Sequence, residues 1–128
     1  MTDVQRPYTM HHPNQDSMNT LVRAIRLSAG QFSLILLQCY YASVRDRIAH
    51  QLRDRCLLTI RELVLPADTD TLFTAIKAAL GEEQPAVVMV FGLESVKDLN
   101  TVLNSTNQVR EEFPKHFPRP LVLWINER

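Results

Sequence analysis

Three apolar runs constrain this chain more than any other feature: Phe32-Ser-Leu-Ile-Leu-Leu-Gln38, Ala86-Val-Val-Met-Val-Phe91 and Leu121-Val-Leu-Trp-Ile125. Each has the length of a strand, and none alternates apolar with polar residues. A strand that faces core on only one side alternates, whereas one covered on both faces does not, so these runs predict a parallel sheet buried between helices. A further strand is predicted over residues 57–65, where Arg61 and Glu62 mark it as an edge.

The segments between the runs read as helices. Val44, Ile48 and Leu52 recur every four residues among arginines and aspartates, which makes an amphipathic helix. Asp70 or Thr71 can cap a second helix carrying Leu72, Phe73, Ile76, Ala79 and Leu80, with Gly81 as its stop. Ser95-x-x-Asp98 has the form of a capping box, opening a long helix with Leu99, Val102, Leu103, Val109 and Phe113 inward; Pro114, Pro118 and Pro120 end it. Ahead of all these, Asn19 or Thr20 can cap a helix with Leu21, Val22, Ile25 and Leu27, stopped by Gly30. The pattern after that first helix is β-α-β-α-β-α-β. It predicts an α/β fold of three layers with a mostly parallel four-stranded sheet and right-handed crossovers.

Residues 1–17 are polar, hold two prolines and the His11-His12 pair, and predict a flexible tail. The histidines read as solvated, with adventitious metal binding as the alternative. Residues 18–128 then form a single α/β domain, large enough to bury roughly two-thirds of its unfolded surface without a disulfide or metal. Fourteen Lys and Arg balance fourteen Asp and Glu, which argues against a nucleic-acid binder and leans toward self-association. No run approaches the roughly 20 apolar residues that span a bilayer, and residues 1–15 lack the basic-then-apolar layout expected of a secretory signal. A cytoplasmic setting is expected, with Cys39 and Cys56 at opposite ends of the sheet and unpaired.

Ligands in parallel α/β sheets bind beyond the carboxyl ends of the strands. There the first strand and its turn resemble the start of a P-loop ATPase of the STAND class, which includes NACHT proteins. That family's phosphate loop reads G-x-x-x-x-G-K-[ST], and the matching residues here are Gln38-Cys-Tyr-Tyr-Ala-Ser-Val-Arg45. Both glycines are missing, Val44 stands in place of the lysine, and Arg45 in place of the magnesium-binding hydroxyl. Val88-Met-Val-Phe91-Gly92-Leu93-Glu94 resembles the NACHT strand that ends in Asp-Gly-Leu-Asp, with Phe91 replacing the first aspartate. Residues 121–128 resemble the strand that senses the γ-phosphate, with Asn126 and Arg128 as its polar end. Segments similar to F-S-L-I-L and P-L-V-L-W open bacterial signalling proteins that carry repeats.

The resemblance implies strand order 2-3-4-1 and a framework that has lost its phosphate and magnesium chemistry. It implies a catalytically silent, P-loop-like interaction or regulatory module in a bacterial signalling or defence protein, with no cofactor, no catalytic residue and no resident metal. Its partner is another protein or a second copy, docking on the open edge of the first strand or on Tyr40, Tyr41, Phe91 and Trp124, aromatics that read alternatively as filling the space the nucleotide left vacant or as accepting a planar base. The alternative is a nucleotide switch or weak ATPase that holds ATP and magnesium through Ser43, Arg45, Glu94, Asn126 and Arg128. Glu94 reads either as a surviving acid or as a first-turn carboxylate favoured by the helix dipole, and Arg45 either as an anion ligand or as a solvated helix residue. A receiver domain of the response-regulator type is set aside, because Gln38, Cys39 and Phe91 occupy its acidic positions.

Overall fold

The computed structural model describes residues 8–10, 15–39, 41–93 and 96–125. Its elements in chain order are β1 (Tyr8–Met10), α1 (Gln15–Leu27), β2 (Ser33–Cys39), α2 (Ala42–Cys56) and β3 (Ile60–Val64). They continue with α3 (Leu72–Leu80), β4 (Val87–Phe91), α4 (Leu99–Gln108), α5 (Phe113–His116) and β5 (Pro120–Ile125). One sheet holds all five strands in the order β1-β2-β5-β4-β3, and every neighbouring pair is parallel. For the four strands expected from sequence the order is β3-β4-β5-β2, as expected.

Burial on both faces explains the unbroken apolar runs. Odd-numbered Ile35 and Leu37 of β2 join Val87, Met89, Val122 and Trp124 in a core with Leu21 and Ile25 of α1 and Ile48 and Leu52 of α2. Even-numbered Leu34 joins Val88, Val90, Leu121 and Leu123 in a second core under Leu72, Ile76 and Leu80 of α3, Val102 of α4 and Phe113 of α5. The sheet is therefore the middle of three layers. β3 lies at one edge, as Arg61 and Glu62 suggested.

Several boundaries differ from expectation. Residues 8–10, read as part of a flexible tail, form an edge strand paired as Tyr8↔Leu37, Thr9↔Gln38 and Met10↔Cys39. The sheet thus has five strands rather than four. The carboxyl half of the edge that was expected to be open is covered, because the free N–H and C=O groups of β2 attract any extended neighbour. Helix α1 begins at Gln15, so Asn19 and Thr20 lie inside it rather than at its cap: Thr20 Oγ1 donates to the Asp16 carbonyl at 3.0 Å, and Asn19 accepts from Arg55. Thr71 is the α3 cap residue but its side chain makes no capping bond.

Two more differences concern turns. Helix α2 runs on to Cys56, and Leu57 caps it in the left-handed region at φ 55°, so β3 starts at Ile60 rather than at Leu57. The long helix expected after β4 is split. Asp98, not Ser95, caps α4, which stops at Gln108, and α5 starts at Phe113 with Pro114 in its first turn. Proline suits a first turn, where its missing N–H has no helical partner. Ser95, like His11 and His12, lies outside the described residues.

Candidate functional site

The carboxyl ends of β2, β4 and β5 meet the first turn of α2, and Tyr41, Arg45, Phe91 and Trp124 of the expected residues gather there. Only residues 40 and 41 separate β2 from α2. Of the eight residues aligned with a phosphate loop, Gln38 and Cys39 belong to the strand and Ala42 to Arg45 to the helix. A phosphate loop needs several successive free N–H groups curved around an anion. The two-residue connection is shorter than the four residues that lie between the glycines of that motif. Tyr41 takes the cap position of α2 with an extended backbone and no side-chain capping bond, and its carbonyl accepts the Arg45 N–H at 3.0 Å.

Aromatic rings occupy the space above the strand ends. Phe91, the last residue of β4, stacks on Trp124 of β5 with centroids 5.3 Å apart and planes inclined by 20°. The Arg45 guanidinium carbon lies 5.5 Å from the Phe91 ring centroid, within cation–π range. Arg45 Nε also donates to Asp46 Oδ1 at 3.3 Å. The stack leaves a cavity of about 30 Å³, lined by Cys39, Tyr41, Ala42, Arg45, Phe91, Gly92, Trp124 and Ile125, room for about two waters.

The turn after β4 is held by glycine. Gly92 has φ 95°, and a Cβ there would stand 3.1 Å from Leu65 N and from Val64 Cγ1. The close approach lets Leu65 N–H donate to the Phe91 carbonyl at 2.8 Å, extending the β3–β4 pairing by one bond. Gly92 thus has a packing role.

The expected site residues divide into three groups. Arg45, Phe91, Trp124 and Tyr41 come together around the cavity, while Ser43 is exposed on the first turn of α2. Tyr40, Glu94, Asn126 and Arg128 lie outside the described residues. Among the aromatics proposed as an interaction surface, Tyr41 is 66 % exposed but Trp124 is only 3 % exposed. Trp124 is a core residue, because β5 is the central strand. Its indole Nε1 has no hydrogen-bond partner among the described residues.

Cys39 has the position of a nucleophile but the environment of a core thiol. Its Sγ donates to the Tyr41 carbonyl at 3.5 Å, and burial is the main cause pushing the thiol above its ordinary value. Burial raises Cys56 likewise. Both cysteines are free, as expected. No described helix is long and apolar enough to cross a membrane, and no three His, Cys, Asp or Glu of the described residues are placed to share a metal ion.

Sequence reasoning identified Phe91 and Arg45 as the replaced positions but missed that one supports the other. No local signal carries that contact, since the two residues sit on different elements. No protein-family model matches the chain, and no curated protein or solved structure matches it significantly.

Proposed function

We propose that this chain is a P-loop-like domain without phosphate chemistry, acting as a protein-interaction or regulatory module in a bacterial signalling or defence protein. The observation that carries this is the Arg45–Phe91–Trp124 stack, which fills the place where a parallel α/β sheet binds its ligand and leaves about 30 Å³. The strand order and the two-residue turn after β2 support the same view: a phosphate-binding framework from which the phosphate cradle is gone. The partner surface must then lie away from Trp124.

Isothermal titration with ATP and ADP, with and without magnesium, tests the proposal. No saturable heat is expected, and affinity near micromolar would overturn it. Arg45, at the first turn of α2 where helix N–H groups favour anions, supports a second reading as a nucleotide switch with an unusual phosphate site. That reading requires ATP-dependent thermal stabilisation that disappears in Arg45→Ala.

A further inference from the structure

The even-numbered face of β2 carries Phe32 just ahead of the strand and Leu34 and Leu36 within it. Leu36 lies beside Leu123 of β5 in the register. Alongside runs α4, whose Val102, Leu103, Thr106 and Asn107 recur at the three- and four-residue spacing of one helix face, with Arg110 following in the turn after it. Between them is a cavity of about 170 Å³, walled by these residues with Leu72, Leu93 and Phe113. Packed interiors leave few voids larger than a water, whereas roughly 150 Å³ of apolar space is enough to bind benzene.

The cavity has a direction. Its walls among the described residues are leucine, valine and phenylalanine except along one edge, where Thr106 and Asn107 lie in the last turn of α4 and Arg110 just beyond it. Thr106 Oγ1 donates to the Val102 carbonyl at 2.8 Å, which leaves its lone pairs able to accept. Among the described residues Arg110 is the only charged one of the lining, and its guanidinium has no ion pair or hydrogen bond with any of them. A mostly apolar pocket with a few convergent polar groups is the usual form of a small-molecule site. The volume suits one compact apolar group, not the several side chains that a docked helix inserts.

We propose that this cavity binds a small amphiphile with an apolar body and one carboxylate, in the class of medium-chain fatty acids. The body lies among Leu34, Leu36, Val102 and Leu123, and the carboxylate meets Arg110 at the edge. This site is on the opposite face of the sheet from Cys39 and Trp124, so it stands whether or not the domain takes a nucleotide.

The test is titration of the full chain with octanoate, followed by the methyl NMR signals of Leu36, Leu103 and Leu123. Saturable shifts at these methyls are expected, with octan-1-ol at least tenfold weaker. Arg110→Gln should weaken octanoate about tenfold and leave octan-1-ol unchanged. Leu36→Phe fills the cavity and should abolish both. Leu103→Trp, at a half-exposed position, does the same without disturbing the core should Leu36→Phe fail to fold. Absence of saturable shifts, shifts confined to other methyls, or octanoate affinity indifferent to Arg110→Gln would overturn the proposal. So would a Leu103→Trp variant that changes oligomeric state while still binding octanoate, because the face would then be a protein contact.

Discussion

Phe91 lies flat on Trp124, 5.3 Å between centroids, at the end of the sheet where a parallel α/β protein ordinarily keeps a polar cleft. The indole below is sealed, the phenyl ring is half-buried, and the Arg45 guanidinium covers the ring from above. Charge is thus layered on aromatic surface at the ligand end of the sheet.

The stack should contribute to stability as well as filling space. Phe91→Ala removes the partner of both Trp124 and Arg45. A fully buried phenylalanine costs about 3–5 kcal/mol on truncation to alanine, and a half-buried one should cost about 2–3 kcal/mol. Urea unfolding of the variant measures this, and a loss below about 1 kcal/mol would mean that the stack holds nothing together.

Gly92→Ala should be destabilising for a different reason. A methyl at φ 95° is strained, and it would meet Leu65 N at 3.1 Å and Leu65 O at 3.2 Å. Backbone of the neighbouring segment must shift, weakening the Leu65–Phe91 hydrogen bond. The expected loss is about 1–3 kcal/mol, read as a lowered urea midpoint with an unchanged slope.

Leu57→Gly should act in the opposite sense. Leu57 holds the left-handed cap of α2 and is 81 % exposed, so little apolar burial is lost on its removal. Glycine adopts that conformation without a Cβ penalty. A rise of up to about 1 kcal/mol in unfolding free energy is expected, and a lower melting midpoint would contradict it.

Asp98 gives stability a pH dependence. Its carboxylate accepts the Thr101 Oγ1–H at 2.7 Å and the Thr101 N–H at 3.1 Å, and these bonds hold it below its ordinary value. A depressed folded value means that the contribution is present above the unfolded range, about 3.9, and is lost as pH falls through the folded value. Asp98→Ala should therefore be less stable than the parent at neutral pH. Thermal melts repeated toward acid should show the gap closing, and a constant gap would assign the loss to something other than this carboxylate.

What sequence revealed and what it hid follow physical lines. β2, β4 and β5 were legible because burial on both faces leaves an apolar run with no polar interruption. β1 was not, because three residues held by backbone bonds carry no side-chain pattern. The break between α4 and α5 was hidden for a related reason: Val109 and Phe113 keep helical spacing across a turn. At the site, Phe91 and Arg45 were each visible as departures from a motif. Their contact was not, since it depends on β4 and α2 meeting at one end of the sheet. The cavity beside α4 was invisible because its residues read as ordinary core positions.

The pairing of β2 with β5, from Ser33↔Pro120 to Gln38↔Ile125, has a consequence for how the protein comes into being. The middle of the sheet joins one of the earliest elements to the last one described, so β2 and β4 must wait with bare flanks until residues 120–125 emerge from the ribosome. Contacts so distant in sequence slow folding and leave strand edges exposed meanwhile. A nascent chain stalled before Pro120 would present the facing flanks of two apolar strands with nothing between them, an invitation to pair with another chain.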